Sequence, residues 1–115
     1  MELTIRHQGT VTILDLSGPI TFGNGDAKLR ESLFRLLESD HRHILLNLEN
    51  VSHVDSAALG ELGASLKRTR ERKGELKLLS PSRKVVEILR LVRFDHLFEI
   101  HDDESKAIAS FSTGG

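Results

Sequence analysis

The sequence predicts an α/β fold, a small mixed β-sheet with helices packed against it, in the element order ββαβαβαβα. Near the N-terminus, two segments typical of strands are separated only by a short turn, which favours an antiparallel hairpin. Downstream, short apolar runs alternate with segments of helical periodicity. Such β-α-β units favour parallel strands joined by right-handed crossovers.

The length of 115 residues suits one domain, because domains cluster near about 100–150 residues. We therefore expect a single domain over residues 1–115, with its core at about 3–111. Sixteen basic and seventeen acidic residues give a net charge of −1. This balance argues against a dedicated nucleic-acid or anionic-membrane binder, whose affinity depends on excess positive charge.

The chain has no cysteine, which excludes disulfides, thiolate metal sites and cysteine nucleophiles. Apolar runs are far shorter than the roughly 18 residues that cross a bilayer. The first residues lack the apolar stretch of a signal peptide. We expect a cytoplasmic protein that holds neither a metal nor a cofactor.

The first half of the chain supplies the hairpin, a helix and a buried strand. Leu3–His7 alternates apolar with polar residues, and Val11–Leu16 is rich in β-branched residues, with a Gln8–Gly9 turn between them. Asp26 is a candidate N-cap for a helix over about 27–39, where leucines recur at helical spacing. The run Ile44–Leu48 is typical of a strand covered on both faces.

The second half alternates helices and strands. A helical stripe begins at Ser56, becomes cationic towards its end and stops near Gly74. Leu76–Leu79 and Leu97–Ile100 are predicted as strands. The helix between them follows a Ser-Pro-Ser cap, and its predicted inward residues are Val85, Ile88, Leu89 and Val92. A last helix opens at the acidic residues 102–104.

The stretch 54–60 is the most informative for function, because a polar connection ends there in Ser56 at the start of a helix. First-turn N–H groups have no partner within a helix, and the helix dipole adds partial positive charge. The Ser56 hydroxyl could therefore serve as a helix cap. Alternatively, a phosphoryl group on it would meet a natural anion site, so a structural and a regulated role both remain open.

The segment Asp55–Gly60, Asp-Ser-Ala-Ala-Leu-Gly, resembles the Asp-Ser-Ser/Ala-Gly/Ala-Leu-Gly motif of STAS domains, the anti-sigma factor antagonist family. Other segments resemble the family in the same order along the chain: Leu16–Ile20, Ile44–Leu48, Gly74–Leu78 and Leu89–Phe98. The resemblance covers about residues 3–111.

This resemblance implies a STAS-like sheet with helices on one side and Ser56 as the phosphoacceptor. It implies an anti-sigma factor with histidine-kinase-like serine kinase activity, and a PP2C-type phosphatase, as partners. The unphosphorylated form would bind the anti-sigma factor and free a sigma factor, without catalysis by this chain. The residues implied at the partner surface are Asp55, Ser56, Ala57, Thr21, Gly23 and Asn24.

The loop that begins at Thr21 departs from the family pattern. Thr21 stands where many antagonists have an acidic residue, and the loop is one residue longer. Gly23-Asn24-Gly25 lacks the glycine pattern of a phosphate-binding loop and is interpreted as a flexible loop.

Three alternatives remain. The chain could be an accessory STAS subunit of a lipid transport or stressosome-like complex, without a phosphoswitch. Ser56, His53 and Asp55 could serve a small hydrolase, but no Gly-x-Ser-x-Gly elbow is present. His41 and His43 could offer two imidazoles to a metal, but no third ligand is evident, and a solvated connection is the simpler interpretation.

Overall fold

The computed structural model describes residues 1–111, in which five helices lie against one five-stranded sheet. The last four residues of the predicted domain lie outside this part. The strands are β1 (Glu2–Gln8), β2 (Val11–Ser17), β3 (His43–Asn50), β4 (Glu75–Leu79) and β5 (Ile100–His101). The helices are α1 (Asp26–Glu38), α2 (Ser56–Glu71), α3 (Arg83–Leu91), α4 (Phe94–Leu97) and α5 (Glu104–Ala109).

The sheet has the strand order β1-β2-β3-β4-β5. β1 and β2 form the predicted antiparallel hairpin, with Gln8 opposite Val11. The other neighbours are parallel, so the predicted mixed α/β sheet is confirmed. Because parallel strands end at the same edge, the segments that follow β2 and β3 emerge side by side, and an isolated bridge pairs Ile20 with Val54.

One face of the sheet carries the larger hydrophobic cluster. Leu14, Leu46 and Leu78, from the three central strands, are fully buried there. Leucines of α1 and α2, together with Val85 and Leu89 of α3, cover them. The alternation of side chains along each strand directs these residues to the same side.

The opposite face is covered by α5, so the expectation of helices on one side alone is wrong. Ile13 and Leu45 point away from the larger cluster and are also fully buried. Ala107 and Phe111, within and just after α5, pack against them. The reason is that apolar side chains of β2 and β3 point to both faces of the sheet, so the second face also needs a helix to bury it.

The region after α3 also differs from the sequence prediction. The predicted strand over Leu97–Ile100 is instead the end of α4 followed by the short β5, with Phe98 between them in the core. α3 ends at Leu91, and Arg93, the N-cap of α4, has a φ of 63°, a left-handed conformation that the helix does not continue through. Val92, predicted to face inward, is 42% exposed because it lies at this turn.

Candidate functional site

The candidate site lies where the connection after β2 meets the start of α2. The Ile20 N–H donates to the His53 carbonyl at 2.9 Å, and the Asp55 N–H donates to the Ile20 carbonyl at 3.4 Å. These bonds continue the pairing of the two chain segments beyond the carboxyl ends of β2 and β3. The loop at Thr21 and the helix start at Ser56 are therefore neighbours, as the sequence resemblance implied.

Asp55 is the N-cap of α2 and has an extended backbone, with φ of −107° and ψ of −173°. Its Oδ1 accepts from the Ala58 N–H at 3.0 Å, and its Oδ2 accepts from the Phe22 N–H at 2.9 Å. These two bonds, first the one from Ala58 and then the one from Phe22, hold the pKa of the Asp55 carboxyl below its usual range. One carboxylate thus joins the helix to the loop.

Ser56 is the first residue of α2, so the reading of its hydroxyl as the helix cap is wrong. Asp55 precedes it, and the Asp55 carboxylate occupies the capping position. Ser56 is exposed, and its hydroxyl has no hydrogen-bond partner within residues 1–111. Ala57 is half-buried beside it. A group attached to the Ser56 oxygen would project into solvent at the positive end of a 16-residue helix.

The loop after Ile20 is closed by its own hydrogen bonds, unlike the flexible loop predicted for it. The N–H groups of Thr21 and Asn24 each donate to the other residue's carbonyl, at 3.0 and 2.8 Å. Gly25, with a φ of 101°, is the N-cap of α1. Asp26, predicted as that cap, is instead the first helical residue, and its Oδ1 accepts from the Gly23 N–H at 3.1 Å.

Phe22 is the residue of this site that the sequence interpretation missed. Its side chain is 83% exposed, whereas Thr21 is half-buried and Gly23 and Asn24 are exposed. The signal was a phenylalanine inside a loop with two glycines, between Ile20 and the first leucine of α1. A large apolar residue in so short a loop has few ways to reach the core.

The hydrolase alternative requires a proton relay from Ser56 to a histidine and a carboxylate. Among the described residues, no hydrogen bond joins the Ser56 hydroxyl to His53 or Asp55. Asp55 is engaged by two backbone N–H groups, and the Nδ1 atom of His53 is buried without a partner in this part of the chain. The geometry is that of a capped helix start.

The histidines at 41 and 43 lie at the opposite end of β3, an eight-residue strand that spans roughly 25 Å. His41 lies in the predicted connection from helix to strand, between α1 and β3, and His43 is the first residue of β3. Both are half-buried and line a recess of about 440 Å³ with His7 and Thr12. The rings of His7 and His41 stack at 5.2 Å. Within residues 1–111, no three His, Cys, Asp or Glu side chains are grouped as metal ligands.

None of the helices in residues 1–111 is both long and apolar enough to cross a membrane.

Comparisons with known proteins identify the family of the chain. The family model described as STAS domain matches residues 2–107. The candidate anti-sigma factor antagonist BtrV of Bordetella bronchiseptica is 26% identical, over 98% of this chain and 97% of its own length. The anti-sigma F factor antagonist of Paenibacillus polymyxa is 23% identical, over 94% of this chain and 92% of its own.

Two solved structures show the same architecture. A candidate anti-sigma factor antagonist of Thermotoga maritima superposes with a TM-score of 0.88 and 25% identity, covering 95% of this chain and 93% of that one. The Bacillus cell fate determinant SpoIIAA, in its phosphorylated form, superposes with a TM-score of 0.74 and 16% identity, over 94% and 97% of the two chains, and supports the fold alone. From the match over residues 2–107, this chain belongs to the STAS domain family.

Proposed function

We propose that this chain is a single-domain anti-sigma factor antagonist whose binding is switched by phosphorylation of Ser56. The unphosphorylated form binds an anti-sigma factor with histidine-kinase-like serine kinase activity and frees a sigma factor in the cytoplasm. A PP2C-type phosphatase restores this form, and the chain itself catalyses nothing. The observation that carries the proposal is the exposed Ser56 hydroxyl, without a partner in the described residues, at the start of α2.

We expect the domain to stay folded when Ser56 carries a phosphate. Phosphorylation adds about −1.5 to −2 charge. That charge would lie in solvent near first-turn N–H groups and the positive end of the α2 dipole, so unfolding is not expected. A partner packed against the same corner would meet both this dianion and the Asp55 carboxylate. A loss of even ~3 kcal/mol there weakens binding more than ~100-fold.

The test uses each histidine-kinase-like anti-sigma factor encoded in the same genome, purified and titrated calorimetrically with Ser56→Ala and Ser56→Asp. Ser56→Ala should bind and resist release by ATP, whereas Ser56→Asp should bind poorly. Ser105→Asp is the matched control, because Ser105 is also exposed and in the first turn of a helix, α5. It should bind as the unmodified chain does. Circular dichroism checks that every variant is folded.

Mass spectrometry after incubation with kinase and ATP should locate the phosphate on Ser56. Phosphate on Thr21 or Ser52 instead would contradict the assignment. Equal binding by folded Ser56→Asp and Ser56→Ala would contradict the switch and favour an accessory STAS subunit of a larger complex.

A further inference from the structure

Phe22 extends into solvent next to the helix start that carries Ser56. Its side chain is 83% exposed, and Leu91, at the end of α3, is 84% exposed. Single exposed apolar side chains are ordinary on protein surfaces, so exposure alone indicates nothing. Phe22 differs in how firmly the structure holds its backbone.

Three sets of hydrogen bonds fix the loop around Phe22. Asp55 accepts from the Phe22 N–H itself at 2.9 Å. Thr21 and Asn24 are joined by two backbone bonds, and Asp26 of α1 accepts from the Gly23 N–H. The aromatic side chain is therefore presented by a loop tied to two helices. A group held in this way loses little conformational freedom on binding, and aromatic residues are enriched in protein interfaces.

Asp55 connects Phe22 to Ser56. The same carboxylate that holds the Phe22 N–H also caps α2 through Ala58, and Ser56 is the next residue along the chain. A phosphate on Ser56 would repel this carboxylate and compete with it for the first-turn N–H groups of α2. If the carboxylate is displaced, Phe22 loses the acceptor of its N–H.

We propose that Phe22 is the apolar anchor of the partner surface, that it enters an apolar pocket of the anti-sigma factor, and that Asp55 couples its position to phosphorylation of Ser56. This inference rests on the proposed function. Charge does not select the occupant, because the N-terminal ammonium of Met1 bonds to Asn24 Oδ1 and offsets the carboxylates of Asp55 and Asp26. Position does: Phe22 is bonded through its N–H to the residue that precedes Ser56, so a kinase that reaches the Ser56 hydroxyl also meets the Phe22 ring.

The coupling is tested on the chain alone by NMR. Asp55→Ala should move the Phe22 amide proton upfield, because the amide loses its carboxylate acceptor. The chain carrying phosphoserine at position 56 should show a shift in the same direction. The Lys106 amide is the matched control, because it donates at 2.9 Å to the side chain of Asp103, the N-cap of α5. This helix cap is remote in sequence from Asp55 and Ser56. The Lys106 signal should not move. A Phe22 amide unchanged by phosphoserine, although moved by Asp55→Ala, would overturn the coupling.

The anchor is tested by binding to the same purified anti-sigma factors. Phe22→Ala should weaken binding about 30-fold, the effect of an interface hot spot. Leu91→Ala, which removes an equally exposed apolar side chain from a distant corner, should change binding less than about twofold. Equal effects of the two substitutions would overturn the anchor. So would a dimer of the unmodified chain that Phe22→Ala dissociates, because the occupant would then be a second copy.

Failure of the inference and failure of the proposed function give different results. If phosphoserine at 56 leaves binding intact while Phe22→Ala weakens it, the switch fails and the anchor stands. If phosphoserine abolishes binding while Phe22→Ala does not, the switch stands and the anchor is wrong. If no anti-sigma factor binds the unmodified chain, both the proposed partner and the anchor are wrong.

Discussion

The sheet face that α1, α2 and α3 cover is apolar along the central strands, whereas the face under α5 mixes apolar and charged side chains. On the second face, Arg6 of β1 bonds to Asp15 of β2 at 2.7 Å and also reaches Glu104 of α5. Lys77 of β4 is buried there, bonds to Glu99 at 2.8 Å and donates to the Ser110 carbonyl. The difference teaches that the layer of longer helices is held on the sheet by burial of apolar side chains. The two-turn helix α5 also depends on ion pairs to stay on its face.

Leu45 and Leu46 offer the sharpest test of this comparison, because they are adjacent, fully buried and on opposite faces. Leu46→Ala should lower the free energy of unfolding by about 3–5 kcal/mol, since three packed helices cannot collapse into the cavity. Leu45→Ala should cost less, about 2–3 kcal/mol, because the short α5 can shift towards the gap. Urea unfolding of both variants measures the difference. A larger loss for Leu45→Ala would reverse the ranking of the two faces.

The opposite orientations of these two leucines illustrate which features of the fold the sequence could predict. The apolar run of β3 correctly indicated a strand covered on both faces, and the hairpin followed from alternation and a short turn. The amphipathic pattern of α5 showed that it buries one side, but not which face of the sheet it covers. Lys77 lies in a predicted strand, but its buried contacts with Glu99 and Ser110 join residues far apart along the chain, and the strand pattern does not indicate them.

The candidate site was predictable in its location but not in its details. Ser56 and Asp55 are both good capping residues, so the spacing left the helix start uncertain by one position. The capping bond to Ala58 decides for Asp55. Phe22 was missed because an apolar residue in sequence suggests burial, whereas this one lies in a short loop closed by hydrogen bonds and is exposed.

Acid should weaken the packing of α5 on its face of the sheet before it weakens the packing of α1, α2 and α3 on the opposite face. The Lys77 ammonium, and then His101, lower the pKa of Glu99 to about 2, and Arg6 lowers the pKa values of Asp15 and Glu104. A carboxyl whose pKa is lowered by folding stabilises the fold above its unfolded pKa of about 4, and this stability is lost as the pH falls towards the folded value. These side chains are partly exposed, so each contributes less than ~1 kcal/mol.

Hydrogen exchange at pH 6 and pH 3 measures this effect. Protection factors of the α5 amides should fall between these pH values. Those of α3, whose N-cap is the uncharged Ser82, serve as the internal control and should fall less. A parallel fall in α3 and α5 would contradict a separate acid response of the α5 side of the sheet. Arg6→Met should already show part of the weakened α5 protection at pH 6, because it removes the bonds to Asp15 and Glu104.

The smallest effect is expected at the end of α1, on the side of the sheet that carries the larger hydrophobic cluster. Two arginine side chains donate there to the same carbonyl oxygen. Arg72 donates to the Leu37 carbonyl at the end of α1 at 3.2 Å, and Arg42 donates to the same oxygen at 3.1 Å. The backbone N–H of Asp40 also reaches it. Because a carbonyl oxygen has two lone pairs, Arg72→Ala leaves it satisfied and should cost less than ~0.5 kcal/mol.

Arg42→Ala should cost as little, although Arg42 also pairs with the exposed Asp40. Chemical denaturation of the two variants, with Lys77→Met as the contrasting variant from the other face, measures the difference. Lys77→Met removes a buried charged donor from the Ser110 carbonyl and should cost about 1–2 kcal/mol. If Arg72→Ala cost as much as Lys77→Met, ion contacts would matter equally on both faces. The distinction between an apolar face and a face pinned by ion pairs would then not hold.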